Sequence, residues 1–215
     1  MNKRNANYQQ QLDEIIAQNL VHNKRPSLLM HVCCAPCSSY CLEYLSEFFE
    51  ITLLFYNPNI SPREEFCKRL ATLEKFVGEN YPSVIIQAPA YDEQEFFAIA
   101  DGLQDAPEGG ARCWKCYALR LEKTAQIARE KHFDYFLSSL SISPHKNVDK
   151  LNEIGQALAL KYGVEWLPND FKKKGGYLRS IELSAKNGLY RQNFCGCEYS
   201  KRENQAKQVA QDAKK

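Results

Sequence analysis

The sequence predicts a single α/β domain built on a mainly parallel sheet with flanking helices. Two observations carry this. Short apolar runs alternate with helical stretches of about a dozen residues along most of the chain. The 215 residues are 44% hydrophobic and 25% charged, which suits one soluble domain with a real core. No internal repeat and no domain-scale linker breaks the pattern.

The elements follow in order. Residues 1–24 read as a polar helix with an apolar stripe at Leu12, Ile15, Ile16 and Leu20, ended by Pro26. Residues 1–26 thus form an N-terminal helical extension. Ser27 to Val32 (SLLMHV) is a buried strand that stops at Cys33. Ala35 to Phe49 is a helix with Pro36 in its first turn, where proline is tolerated. ITLLFYNPNI, from Ile51, is a second strand with an Asn-Pro turn after it. Pro62 to Val77 is helical, Ser83 to Gln87 is a third strand, and Asp92 to Ala100 is a short helix. Beyond a loop rich in Pro and Gly, Trp114 to Lys131 is a long helix. Phe133 to Ser141 is a fourth strand closed by Ser143-Pro144, and Val148 to Tyr162 is a helix. VEWL is a last strand, KKKGG a mobile basic loop, Tyr177 to Lys186 a helix, and YRQNFCGCEYS a compact loop. The domain runs over 27–200, and 201–215 is a polar C-terminal tail, helical or extended.

Parallel sheets of this kind place their sites beyond the carboxyl ends of the strands. Cys33, Asn57, Ser143 and His145 all follow strands directly and should converge on one edge.

The net charge of +2 is too mild to announce nucleic-acid binding, although Lys172, Lys173 and Lys174 form a local basic cluster. The polar N-terminus lacks a signal-peptide core, and the longest apolar runs are too short to cross a bilayer. A cytoplasmic protein without membrane contact is expected. No GxGxxG or GxxxxGK[ST] follows a strand, and cysteines stand where an SGGxDS-like pyrophosphate loop would follow the first one. ATP chemistry has no signature here.

Nine cysteines are the outstanding feature. In a reducing compartment, closely spaced cysteines point to metal or redox chemistry. Cys113-Trp-Lys-Cys116 is a CxxC at a helix start, where the dipole favours thiolate. Zinc, iron–sulfur clusters and thioredoxin-type pairs all use that spacing. Adjacent Cys33 and Cys34 can share a metal only where the strand has opened into a loop, which Ala35-Pro36 provides. Together the two segments offer four thiolates, enough for a 4Fe-4S cluster or a structural zinc. Cys195-Gly-Cys197 is a CxC, whose disulfide would close a small, strained, easily reduced ring; it can equally be two free thiols or extra ligands. Cys37 sits one turn from the cluster candidates and can hold a second metal. Cys41 and Cys67 read as core residues, and His31, inside an apolar strand, as a satisfied core histidine. His145, Lys146, Arg112, Arg179 and Arg191 are candidates for holding an anionic substrate or phosphate.

Five blocks taken together carry a resemblance: HVCCAPCSSY from His31, PEGGARCWKCYALRLEKTA from Pro107, SISPHKN from Ser141, DFKKKGGYLRS from Asp170 and YRQNFCGCEYS from Tyr190. They are similar to the cobalamin-independent epoxyqueuosine reductases, the QueH family. The resemblance implies a nucleotide α-hydrolase-like (HUP-like) layer fold. It implies the last step of queuosine biosynthesis, in which the epoxide of epoxyqueuosine at the wobble position of tRNA is reduced to the alkene. It also implies a 4Fe-4S cluster on Cys33, Cys34, Cys113 and Cys116, and a redox-active disulfide between Cys195 and Cys197. An additional mononuclear iron involving Cys37 is a further expectation. The partners are then tRNA carrying epoxyqueuosine in its anticodon and an electron donor. Two rival readings differ in colour and metal: a zinc-stabilised RNA-binding module, colourless and zinc-dependent for folding, and a metal-free thiol–disulfide oxidoreductase working through Cys113 and Cys116.

Overall fold

The computed structural model describes residues 7–212. The chain runs α1 (Tyr8–Val21), β1 (Ser27–His31), α2 (Ala35–Leu45), β2 (Glu50–Leu54), α3 (Arg63–Asn80), β3 (Ile85–Gln87) and α4 (Gln94–Ala100). It continues through α5 (Ala111–Glu130), β4 (Tyr135–Ser138), α6 (Val148–Tyr162), β5 (Glu165–Trp166), α7 (Gly176–Lys186) and α8 (Glu198–Asp212). The five strands form one sheet in the order β3-β2-β1-β4-β5, and every pair is parallel. The chain winds outward from β1 to β3, then returns to the other side of β1 with β4. That reversal opens a crevice beyond the carboxyl ends of β1 and β4. Leu28, Leu29 and Met30 of β1 are fully buried, the continuous apolar run of a strand covered on both faces.

Several boundaries have local causes. Asn147 caps α6 by accepting from the Lys150 amide at 2.9 Å, and Gly163 ends it at φ 66°. The expected helix Val148 to Tyr162 therefore has clear ends. The fourth strand stops at Ser138, short of the expected Ser141, because the Ser138 hydroxyl accepts from the Leu140 amide and starts a 3-10 turn over Ser139–Ile142. Helix α5 begins at Ala111 rather than Trp114, which brings Cys113 inside its first turn. On α1 the buried face is Gln9, Leu12 and Ile16; Leu20, read as part of the stripe, lies beyond that packing and is 54% exposed.

The KKKGG stretch is not a mobile loop. Its 3-10 turn, Lys173–Gly175, is pinned on both sides. Lys172 Nζ lies 2.8 Å from Asp170 and donates to the Ser141 carbonyl at 3.0 Å, and Lys174 Nζ meets Asp13 of α1 at 2.6 Å. Helix α8 is also held. In α8, Glu203 accepts from Arg112 at 3.1 Å and from the Glu108 amide at 3.3 Å.

Gly155 of α6 faces the Trp166 ring, and a Cβ there would come within 2.2 Å of it. The ring cannot step aside freely: its Nε1 donates to Asn152 at 3.0 Å and it packs edge-on against Phe136. Alanine would gain about 1 kcal/mol of helix propensity, but overpacking costs about 1–3 kcal/mol or more. Gly155→Ala should therefore lower the thermal midpoint by a few degrees, read by circular dichroism on melting.

Candidate active site

Beyond His31 the backbone leaves the sheet, and Cys34, extended at φ −171°, becomes the N-cap of α2. Its sulfur accepts from the Cys37 amide at 3.2 Å and lies 3.9 Å from the Cys33 sulfur. The sulfurs of Cys33, Cys34 and Cys37 all lie within 4.8 Å of one another, a group able to hold a metal ion. Cys33 is held well below the ordinary thiol range by hydrogen bonds from Cys34 and Cys37, against its burial, with Arg120 and His31 adding to the effect. Burial, reinforced by that charge, pushes Cys34 up to about 12. Cys37 is raised well above its usual value by its bonds to Cys33 and Cys34 and by burial.

The second segment arrives on α5. Cys113 and Cys116 are both buried, outside the close sulfur trio. The Gly109 amide donates to Cys113 at 3.3 Å. Burial raises Cys113 and pushes Cys116 up to about 11. One helical turn past Cys116 stands Arg120, 1% exposed. Its Nη1 donates to Asn57 Oδ1 at 3.2 Å, while Asn57 Nδ2 donates to the Val32 carbonyl at 2.9 Å. Its Nε and Nη2 have no hydrogen-bond partner among the described residues. Burial disfavours that guanidinium charge, yet its pKa is raised because the Cys116, Cys195 and Cys33 sulfurs surround it. Arg120 thus sits between the two cysteine segments. Sequence reading missed it, although Cys113, Cys116 and Arg120 share one helical face at i, i+3 and i+7.

The CxC loop closes the third side. Gly196 at φ 120° makes its turn, and a Cβ there would meet Ile60 at 3.0 Å. Arg69 of α3, also missed, is fully buried and donates to the Cys195 carbonyl at 3.1 Å and the Phe194 carbonyl at 3.4 Å. Glu65 holds Arg69 at 2.7 Å. Cys195 and Cys197 are free thiols, as are the other seven cysteines. Cys197 is buried beside Cys116, Phe96 and Tyr199 and is pushed up to about 12, first by burial and then by Cys195.

Between these walls lies a cavity of about 330 Å³, within the range that accepts a small ligand or a base. Cys33, Cys37 and Cys195 line it with Arg120, Lys146 and Glu108, and His145 and Arg191 stand at exposed positions of its lining. The residues expected past β1 and β4 therefore do share one edge.

Other expected residues part from the site. His31 is the satisfied core histidine: Nδ1 pairs with Ser138 Oγ at 3.0 Å and Nε2 with the Tyr56 carbonyl at 3.1 Å, and burial lowers its pKa to about 3. Arg112 is not at the surface; it is buried against the Gln104 carbonyl and Glu203. Arg179 is a double ion pair with Glu43 and Glu182. Cys41 is in the core as expected, but Cys67 is exposed, because α3 buries Phe66, Arg69 and Leu73 instead.

Fold and site together define a class: an α/β protein with a sulfur-lined cavity at the carboxyl edge of its sheet. Comparison with known proteins narrows it. The profile of the family described as epoxyqueuosine reductase QueH matches residues 28–203, and the chain belongs to that family. It is 47% identical over 180 residues to epoxyqueuosine reductase QueH of Streptococcus pyogenes serotype M1, covering 82% of this chain and 71% of that protein. It is 40% identical to the protein of that name from Staphylococcus epidermidis over 221 residues, covering 99% and 93% of the two. The Thermotoga maritima protein of that name is 36% identical over 180 residues, 81% of this chain and 90% of the other. No described helix is long and apolar enough to cross a membrane.

Proposed function

We propose that this chain reduces the epoxide of epoxyqueuosine at the wobble position of tRNA to the alkene of queuosine, in the cytoplasm. The single observation that carries the reading is a base-sized cavity of a family member lined by Cys33 and Cys37 of one cysteine segment and Cys195 of another. The reaction adds two electrons and two protons, breaks both ring carbon–oxygen bonds, forms a carbon–carbon double bond and releases water. A dithiol going to a disulfide yields the same two electrons and two protons.

The donor set fits an iron–sulfur group. Buried thiols are the soft ligands such clusters take, and the unpartnered nitrogens of Arg120 face them where a negatively charged group would be stabilised. Cys33, Cys34, Cys113 and Cys116 would hold a 4Fe-4S cluster, leaving Cys37 for a mononuclear iron. Bound there, the cluster would supply single-electron transfer to the cavity. The residues around it do the rest. Arg69 and Gly196 fix the CxC turn against the cavity wall. His145 and Arg191 offer donors to the anticodon backbone, with an affinity that falls as salt rises. Of the lysine cluster, only Lys173 remains outside the ion pairs found among the described residues, so Lys172 and Lys174 are poor phosphate ligands.

Anaerobic purification should give a brown protein with about four irons and four sulfides for the cluster that deoxygenates epoxyqueuosine in tRNA. A colourless protein with one tightly held zinc would sink the cofactor assignment. Cys195→Ser and Cys197→Ser should each abolish turnover while leaving the visible spectrum intact. Full turnover by both, with the physiological reductant, would remove the pair from the reaction.

A further inference from the structure

Helix α5 turns one large aromatic side chain away from the core. Its first two turns bury Arg112, Cys113, Cys116 and Tyr117, which puts Trp114 and Lys115 on the solvent side. Trp114 is 40% exposed and belongs to neither apolar cluster found among the described residues. Tryptophan is highly buried on average, and this one adds nothing to the core. Lys150, in the first turn of α6, stands over the ring with Nζ 5.3 Å from its centroid, within cation–π reach. The pair sits at the rim of the cavity. Glu108, just ahead of α5, and Lys146, just ahead of α6, both line the cavity and meet each other at 3.1 Å. Further into the same two helices, Trp114 and Lys150 meet outside that wall.

The charges beside the ring suit a nucleic acid. Lys115 is exposed and lies outside the ion pairs found among the described residues. Lys150 meets Glu153 at 2.7 Å, but Glu153 is 68% exposed, and a surface pair of that kind holds a lysine only weakly. Single-stranded RNA is gripped by this combination: an aromatic face on which a base stacks, with cations beside it for the backbone. A protein partner would instead call for a contiguous apolar patch, and here the ring stands between two lysines. We propose that Trp114, flanked by Lys115 and Lys150, is the platform on which a base of the anticodon loop stacks, next to the base that enters the cavity. The proposal rests on the tRNA substrate of the preceding section. Loop bases are already free to splay apart, so one can enter the cavity while its neighbour settles on the rim.

The test reads binding rather than turnover. Full-length protein, purified anaerobically with its metal, is titrated against full-length tRNA carrying epoxyqueuosine, and the complex is measured by filter binding at fixed salt. Trp114→Ala should weaken binding about tenfold, the loss of one stacked base. Trp114→Tyr, which keeps a ring face, should recover most of the affinity. Trp114→Leu, apolar but without a ring, should behave like the alanine variant. Iron per chain should be the same in all of them. Unchanged binding by Trp114→Ala overturns the proposal, and if turnover with the electron donor slows instead, the ring is a contact for that donor. Recovery by leucine as full as by tyrosine overturns it as well, since burial of any apolar group would then suffice. Binding lost in step with iron also overturns it and makes the ring a shield over Cys113 and Cys116. A wild-type protein that does not bind this tRNA fails the proposed function, and the platform falls with it. Tight binding by wild type and Trp114→Ala alike fails the platform alone.

Discussion

Cys34→Ser should strip the bound iron and end turnover without unfolding the protein. The substitution separates two roles of one sulfur. Cys34 is the N-cap of α2, accepting from the Cys37 amide. Serine is among the best N-cap residues, so the helix loses nothing in the exchange. What is lost is a soft sulfur ligand from the close group of Cys33, Cys34 and Cys37. A hydroxyl does not replace a thiolate on iron. Changing the groups that merely orient metal ligands costs about 10–100-fold in affinity or activity, and removing a ligand should cost more. Cys33→Ser should behave alike. The control is Cys67→Ala, on the exposed side of α3, which should keep both colour and activity. Iron content and the visible spectrum after anaerobic purification give the first readout, with reduction of epoxyqueuosine in tRNA as the second. Full iron in the folded Cys34→Ser protein would remove Cys34 from the ligand set.

The fold was open to sequence reading because it is written in local periodicity. The apolar run Leu28, Leu29, Met30 marks a covered strand whatever its neighbours are, and Asn147 and Gly163 bracket α6 by their own side-chain and backbone chemistry. The motif cysteines were visible for the same reason: adjacent, CxxC and CxC spacings are short-range facts. The polar groups that organise the site are long-range facts. Arg69 acts on a loop more than a hundred residues away in sequence, and nothing near α3 distinguishes it from a surface arginine. Lys172 and Lys174 looked like free charges for phosphate because Asp170 gives no sign, and Asp13 lies at the other end of the chain. Cys67 looked like core because a cysteine on a helix usually is; the face that α3 buries is set by its packing partners.

Arg120→Met should move metal loading and the stability of the metal-free protein in opposite directions. Arg120 is fully buried, and among the described residues its one hydrogen bond goes to neutral Asn57 and no carboxylate pairs with it. Its counter-charges are the sulfurs around it. In metal-free protein burial pushes Cys116 toward its protonated form, while Cys33 is held toward its charged one. A buried guanidinium carries a desolvation cost of several kcal/mol, which one charged sulfur and a neutral hydrogen-bond partner offset only in part. Methionine fills much of the same space and adapts to what is left. Chelator-treated Arg120→Met should therefore melt no lower than chelator-treated wild type. Iron loading should respond the other way. An iron–sulfur group on four thiolates brings net negative charge into a low-dielectric site, where a cation a few ångströms away matters most. Losing that cation should weaken retention by about 10–100-fold, the usual effect of an outer-shell partner, read as iron per chain after dilution against a chelator. A variant that melts much lower without metal yet keeps its iron would make Arg120 a strut of the fold. The predicted opposite signs would make it the counter-ion around which Cys33, Cys116 and Cys195 were brought together.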